Sequence, residues 1–140
     1  METGKAVRKI LLVDDDADDR KYFKEAVQEI DATIEYAEAK DGQQALELLR
    51  NMERALPDYI FLDLRMPRYN GRHCLLQIKA DARLKNIPVI IYTTSREVEE
   101  SEELQALGAV HFISKPSDPE EIYYVISLVL EERWDNVRFK

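Results

Sequence analysis

The sequence predicts an α/β fold: one doubly wound sheet of five parallel strands with helices on both faces. Short apolar runs alternate five times with longer segments in which apolar residues recur every three or four positions. This alternation is typical of parallel sheets joined by right-handed helical crossovers. The chain has 140 residues, enough for one domain with a buried core. We divide it into a lead-in at 1–7, a single domain at 8–134 and a tail at 135–140.

The strand order follows from how apolar each strand segment is. The segments 8–13, 59–62, 89–92 and 110–113 consist of apolar runs or end in them, which indicates strands buried on both faces. The segment 33–37 instead alternates polar and apolar residues, which is typical of a strand at a sheet edge. An edge position for the second strand favours the order 2-1-3-4-5.

The helices are predicted from apolar stripes and from capping residues. Asp16 and Asp41 are suited to cap the first two helices, and Ser117 or Asp118 to begin the last. Gly108 is suited to end the Glu-rich fourth helix, expected at about 96–107. The expected inward-facing residues are Tyr22, Phe23, Ala26, Val27 and Ile30 in the first helix, Ala45, Leu48, Leu49 and Met52 in the second, Leu75, Ile78 and Ala82 in the third, Val98, Leu104 and Leu107 in the fourth, and Ile122, Val125, Ile126, Val129 and Leu130 in the last.

The composition narrows the function classes. A formal net charge of −8 argues against a nucleic-acid surface, which needs a basic patch. No apolar run approaches the ~20 residues of a membrane span, and the first residues lack the apolar segment of a secretory signal. The single cysteine, Cys74, is expected to pack in a helix. We therefore expect a cytoplasmic protein that binds neither nucleic acid nor membrane.

Polar side chains follow the predicted strands at the point where each strand ends. The first strand is followed by Asp14 and Asp15, the third by Asp63, and the last, after Ser114, by Lys115. Thr93 follows the fourth strand. Because the carboxyl ends of parallel strands meet at one edge of the sheet, we expect these side chains to lie close together.

This set of residue types suits metal-assisted phosphoryl chemistry. Clustered carboxylates repel one another unless a cation binds between them, and Mg²⁺ takes carboxylate and phosphate oxygens as ligands. A carboxylate can also act as a nucleophile and form an aspartyl-phosphate. Asp16 is better explained as a helix cap, and Asp18 and Asp19 as acidic residues that suit the helix dipole or face a partner.

The chain resembles the receiver domains of two-component response regulators. The resemblance covers about residues 8–130, and the matching motifs are Ile10-Leu11-Leu12-Val13-Asp14-Asp15, Asp63-Leu64-Arg65-Met66-Pro67, Asn70-Gly71, Thr93-Thr94-Ser95 and Lys115-Pro116. It implies a flavodoxin-like fold in which Asp63 accepts a phosphoryl group from a histidine kinase. It also implies Mg²⁺, with Mn²⁺ as a substitute, bound by Asp15, Asp63 and the Arg65 backbone carbonyl, with Asp14 acting largely through water. A cis Lys115–Pro116 bond is implied as well.

The resemblance further implies a switch. Phosphorylation would draw Thr93 toward the phosphoryl group and let Phe112 turn inward, changing the face made by the fourth helix, the fifth strand and the last helix. Phe112 is equally well explained as a plain core residue. Arg65 and Ser95 stand two positions after Asp63 and Thr93, where they are expected to tune the lifetime of the phosphate.

The expected function is phosphorelay signalling rather than enzymatic turnover of a substrate. The partners would be a sensor histidine kinase or histidine phosphotransfer protein and a downstream protein, since no DNA-binding segment follows residue 134. Relay to a phosphotransfer protein is an alternative to an end-point regulator. A Mg²⁺ phosphohydrolase is disfavoured because Arg65 occupies the place of its second Asp, and nucleotide or flavin binding is disfavoured because a Gly-rich loop is missing after the first strand.

A weaker likeness points to stand-alone receivers that partner phytochrome-type or hybrid kinases. It rests on Gly71-Arg72, Lys79, Ile87-Pro88-Val89 and Trp134, besides the motifs above. The apolar residues Trp134, Val137 and Phe139 suit a homodimer contact through the last helix and tail, or a tail that folds back on its own helix.

Overall fold

The computed structural model describes residues 7–53, 55–66, 70–94 and 101–131. They form a five-stranded parallel sheet in the order β2-β1-β3-β4-β5, with helices between the strands along the chain. The strands are β1 Lys9–Val13, β2 Glu35–Ala39, β3 Tyr59–Leu62, β4 Val89–Thr93 and β5 His111–Ser114. The helices are α1 Ala17–Ile30, α2 Gly42–Asn51, α3 Gly71–Ala80, α4 Ser101–Ala106 and α5 Pro119–Leu130. The predicted fold class and strand order are confirmed.

The sheet is buried on both faces, which explains its continuous apolar strands. Leu11 and Val13 of β1 pack with α2 and α3, whereas Ile10 and Leu12 pack with α1 and α5. Alternate residues of a strand point to opposite faces, so each β1 residue contributes to one of two core layers. Within the described residues, no helix is long and apolar enough to span a bilayer.

Side-chain caps fix where the helices begin. Asp16, Asp41 and Asp118 accept hydrogen bonds from backbone N–H groups of α1, α2 and α5, as the sequence predicted. Asn70 does the same for α3. Each such cap stabilises its helix by about 1 kcal/mol. Gly108 follows α4 with a φ of 118°, a conformation that favours glycine.

The second strand begins two residues later than predicted. It starts at Glu35 because Asp31 holds the preceding segment in a turn: the Asp31 carboxylate accepts hydrogen bonds from the Thr33 N–H at 3.0 Å and the Thr33 hydroxyl at 2.6 Å. β2 lies at the edge of the described sheet, as expected, and pairs with β1.

Two residues of the predicted core stripes are exposed. Tyr22 is 38% exposed, because the first helix buries only the narrow stripe of Phe23, Ala26 and Val27. Ala82 lies beyond the end of α3 and is exposed, since Asp81 ends that helix and accepts hydrogen bonds from Arg83 and Leu84 in the following turn. Leu84 fills the core position instead.

Other predictions fall outside the described residues. The start of the predicted fourth helix, Val98 and Ser95 lie there, as do Trp134, Val137 and Phe139 of the tail. Cys74 is buried in α3 as expected, and burial raises the pKa of its thiol to about 12.

Candidate functional site

The predicted polar residues meet at the carboxyl edge of the sheet. Asp14 follows β1, Asp63 follows β3, Thr93 ends β4 and Lys115 follows β5. The parallel register of these four strands brings their ends to one place. Asp14 and Thr93 are fully buried, and Asp63 is 3% exposed. Buried polar groups need partners, and here they partner one another.

The two carboxylate oxygens of Asp63 have different surroundings. Oδ1 accepts hydrogen bonds from the Thr93 hydroxyl at 2.8 Å and from the Arg65 backbone N–H at 3.1 Å. Oδ2 contacts the Lys115 ammonium at 3.2 Å. Oδ1 is therefore anchored, and Oδ2 faces the charged side of the site.

Lys115 joins three carboxylates. Its Nζ lies 2.7 Å from Asp19 Oδ2, 2.8 Å from Asp14 Oδ2 and 3.2 Å from Asp63 Oδ2. Burial alone would lower the pKa of this ammonium, but the Asp14 and Asp63 charges outweigh burial and hold the pKa above its usual range. Nζ also lies 5.9 Å from the ring centre of Tyr92. Lys115 is therefore a fixed positive charge at the centre of the site.

Asp14 carries an unfavourable buried charge. Burial raises its pKa to about 6, although Lys115 opposes the rise. Its Oδ1 accepts a hydrogen bond from the Asp16 N–H at 3.0 Å. Among the residues that the structure describes, its Oδ2 has the 2.8 Å ion pair with Lys115 but no well-directed hydrogen bond. Such an oxygen favours an additional cation nearby.

A divalent cation fits the residues present. Oxygen atoms of Asp14, Asp15 and Asp63 all lie within 4.8 Å of one another, with Asp15 exposed and the other two buried. An all-oxygen set of carboxylates suits Mg²⁺ or Mn²⁺ better than softer metals. The high pKa of Asp14 and its incompletely bonded Oδ2 are consistent with such a cation.

Arg65 extends from the acceptor loop toward the end of β4. Its side chain is exposed, and its Nη1 lies 3.5 Å from the Thr94 hydroxyl oxygen. Ser95, the other expected tuning residue, is outside the described part of the chain.

Phe112 is 3% exposed and packs in the core layer that contains α3 and α4. The Lys115–Pro116 bond was expected to be cis, and that prediction is wrong: the described residues contain no cis peptide bond. The trans isomer is the one that X–Pro bonds favour. In this isomer the Lys115 backbone N–H donates to the Thr93 carbonyl at 2.6 Å.

Sequence reasoning missed two residues of the site. Asp19 was assigned to the helix dipole or a partner, yet it contacts Lys115. Its place in the first turn of α1, the helix that begins next to the end of β1, is the signal that could have indicated this. Arg20 was not singled out; its Nη1 donates to the Asp14 carbonyl at 3.0 Å, and its Nε lies 3.3 Å from a Glu38 carboxylate oxygen.

Comparison with known families agrees with this geometry. The family model described as "Response regulator receiver domain" matches residues 10–127. The chain belongs to this family. Receivers are signalling domains of two-component systems, and this receiver contains the expected carboxylates, threonine and lysine at its strand ends.

Solved structures share the fold of this receiver over nearly its whole length. The phosphorylated cyanobacterial phytochrome response regulator RcpA is 30% identical, with a TM-score of 0.81, covering 96% of this chain and 98% of that one. The Mn²⁺-bound form of the response regulator Rcp1 is 25% identical, with a TM-score of 0.78, covering 95% and 99%.

The receiver covers most of the length of one curated relative but less than a third of another. The probable methanogenesis regulatory protein FilR2 of Methanothrix harundinacea is 31% identical over 87% of this chain and 81% of its own. A protein-glutamate methylesterase/protein-glutamine glutaminase of Syntrophomonas wolfei is 36% identical over 79% of this chain but only 30% of its own length. The named activity of that enzyme therefore belongs to a much longer protein.

Proposed function

We propose that this receiver accepts a phosphoryl group on Asp63 from a phosphohistidine of a sensor kinase, in a Mg²⁺-dependent reaction, and then changes a protein-binding face. The observation that carries the proposal is the asymmetry of Asp63. Two hydrogen bonds hold Oδ1, while Oδ2 faces a lysine and two other carboxylates. This arrangement orients one oxygen for reaction and supplies charge around it.

The transfer exchanges one bond for another. Asp63 Oδ2 attacks phosphorus, an O–P bond forms, and the N–P bond to the donor imidazole breaks. The bond electrons stay on the imidazole nitrogen, which is neutral if its ring already carries a proton. Lys115 neutralises charge on the phosphoryl oxygens, and the Thr93 hydroxyl can donate to one of them.

The candidate metal ligands are Asp14, Asp15, Asp63 and the Arg65 backbone carbonyl. A bound Mg²⁺, or Mn²⁺ in its place, would supply positive charge to phosphoryl oxygens. The Mn²⁺-bound Rcp1 structure supports this choice of metal.

The switch would begin at the hydrogen bond between Thr93 and Asp63. A phosphoryl group on Asp63 offers the Thr93 hydroxyl a new hydrogen-bond acceptor. If Thr93 moves toward it, β5 would move as well, because the Lys115 N–H donates a 2.6 Å hydrogen bond to the Thr93 carbonyl. Phe112, on β5, then either turns or stays as a core residue. The Arg72–Glu103 ion pair, 3.3 Å long, links α3 to α4 and would change with any movement of α4.

The proposed partners are a histidine kinase or histidine phosphotransfer protein and a downstream protein. The likeness to phytochrome response regulators supports a kinase of that kind. Relay to a phosphotransfer protein stays an alternative. We place the receiver domain at 8–134 between the lead-in at 1–7 and the tail at 135–140, with the last helix and tail as the proposed homodimer contact.

Phosphate stoichiometry tests the proposal. We expect purified protein with Mg²⁺ and phosphoramidate to gain one acid-stable, base-labile phosphate, located at Asp63 by peptide mass spectrometry. EDTA should prevent the gain. A phosphohydrolase would instead hydrolyse a phosphate monoester without accumulating covalent phosphate, and absence of any covalent phosphate would refute the receiver chemistry.

Arg65→Ala is expected to change the half-life of the phosphate by about twofold to tenfold without abolishing phosphorylation. The guanidinium lies beside Thr94, next to the end of β4, and we expect it to limit access of water to the acceptor. The decay of the phosphorylated protein after donor removal measures the effect, with Arg83→Ala, away from the site, as control. Equal half-lives for wild type and Arg65→Ala would contradict the assignment.

Asp14→Asn is expected to raise the free energy of unfolding of the metal-free protein by about 1–3 kcal/mol near pH 7.5. The substitution removes a charge whose burial opposes folding. Because the folded-state pKa of about 6 lies above the ordinary 3.8, the charge penalty is present above pH 6 and disappears as the pH falls below about 4. Urea unfolding of wild type and Asp14→Asn in EDTA, at about pH 7.5 and below about pH 4, measures this difference in the free energy of unfolding.

Mg²⁺ provides the control for that substitution. A cation that binds the folded state stabilises it in proportion to the logarithm of its concentration. Mg²⁺ should therefore stabilise wild type and have little effect on Asp14→Asn. If Asp14→Asn were the less stable protein in EDTA, the Lys115 ion pair would outweigh burial, contrary to our assignment.

A further inference from the structure

We propose that Asp19 is a positioning residue that keeps the Lys115 ammonium from moving closer to Asp63 Oδ2 while Asp63 accepts phosphate. The inference rests on the proposed function and extends it to α1. It starts from the three carboxylates around Lys115. Among the described residues, the ammonium donates hydrogen bonds to Asp19 and Asp63 and forms an ion pair with Asp14.

Asp19 differs from the other two in what else it can bind. Asp14 and Asp63 belong, with Asp15, to the cluster that suits a cation, and Asp19 does not. A cation and a phosphoryl group would both draw on Asp14 and Asp63. The bond to Asp19 is the one that neither would replace, so it can keep Lys115 in place throughout the reaction.

α1 fixes Asp19 firmly enough for that role. The Asp19 N–H donates to Oδ1 of the Asp16 cap at 3.0 Å. One turn further along the helix, Phe23 is fully buried against Phe61 and Tyr92, with ring centres 4.9 Å and 5.4 Å away. The carboxylate thus projects from a helix that is anchored to the same strands as the site.

The distances from Lys115 Nζ to its carboxylate partners indicate in which direction Asp19 attracts the ammonium. Nζ is 2.7 Å from Asp19 and 3.2 Å from Asp63, so the ammonium lies nearer α1 than the acceptor. Without the Asp19 charge, Nζ would move toward Asp14 and Asp63. A tighter bond to Asp63 Oδ2 would engage the lone pair that must attack phosphorus, and phosphorylation would slow.

The neighbouring Asp18 offers a matched control. Both residues lie in the first turn of α1, where acidic side chains suit the helix dipole. In the described part of the chain, Asp18 has an exposed side chain and Lys115 contacts Asp19 instead. Asp18→Asn and Asp19→Asn therefore remove the same charge from the same helix end, but only the second removes a Lys115 partner.

The experiment compares wild type, Asp18→Asn, Asp19→Asn and Asp19→Glu. We expect Asp19→Asn to slow phosphorylation by phosphoramidate with Mg²⁺ by about threefold to tenfold, Asp18→Asn to match wild type, and Asp19→Glu to recover part of the rate. In metal-free protein, the ¹⁵N resonance of the Lys115 ammonium should shift in Asp19→Asn and stay in place in Asp18→Asn. This second measurement needs neither metal nor phosphate.

The outcomes separate the two proposals. If wild type takes up phosphate on Asp63 but Asp18→Asn and Asp19→Asn behave alike in rate and in the Lys115 resonance, Asp19 has no positioning role. A faster Asp19→Asn would likewise overturn it. If wild type takes up no phosphate, the proposed function fails, and the positioning role fails with it.

Discussion

Asp63→Asn is expected to reduce phosphate uptake by at least about a thousandfold. An amide oxygen carries no negative charge and does not attack phosphorus as a carboxylate does. The amide can still accept the Thr93 hydrogen bond at Oδ1, so the fold should be retained. Phosphate incorporation from phosphoramidate with Mg²⁺ and urea unfolding, measured on the same samples, separate the two effects.

Asp58→Asn is the matched control for that experiment. Asp58 lies before β3, at the opposite end of the strand from Asp63, and accepts hydrogen bonds from the Arg8 and Lys9 N–H groups at 2.7 Å and 3.0 Å. Asn keeps an acceptor there, and uptake should equal that of wild type. Full, base-labile phosphate in Asp63→Asn would place the acceptor at another residue and remove the basis of the proposed function.

Gly71→Ala is expected to lower the free energy of unfolding by at least about 3 kcal/mol. A Cβ on Gly71 would collide with the Asp63 carbonyl oxygen and lie 2.7 Å from the Leu64 Cα. Both are backbone atoms of the loop that carries the acceptor, so no side chain can rotate to make room. The loop itself must move, and phosphorylation of the folded fraction should slow as well.

Leu76→Ala controls for the change to alanine within α3. Leu76 is 44% exposed on the same helix, so its loss should change the free energy of unfolding by no more than about 1 kcal/mol. Urea denaturation of both variants provides the comparison. A Gly71→Ala protein as stable as wild type would mean that the acceptor loop yields easily, which contradicts the rigid anchoring described for Asp63.

The residues of the site whose positions depend on the backbone topology alone could be predicted from the sequence. Asp14, Asp63, Thr93 and Lys115 stand at the ends of apolar strands, and parallel pairing brings such ends together whatever the side chains do. The helix caps were likewise predictable, because a cap needs only a short side chain next to its own helix.

The missed features depend on packing between elements. Tyr22 fits a helical stripe, but whether α1 buries a wide or narrow stripe depends on how closely α5 approaches it. The contact of Asp19 with Lys115 joins residues that are 96 positions apart, through two side chains whose rotamers no local pattern fixes. The first residue of β2 was set by the side chain of Asp31, a local competitor of sheet pairing.

The ring of Tyr92 gives this site a built-in optical reporter. Tyr92 is 2% exposed, lies one residue before Thr93, and has the Lys115 ammonium 5.9 Å from its ring centre. A charge so close to a chromophore shifts its electronic transitions, and the shift follows the position of that charge. The difference between the near-ultraviolet spectra of wild type and Tyr92→Phe isolates this ring from the other six tyrosines and the tryptophan, and it should therefore record movements of Lys115.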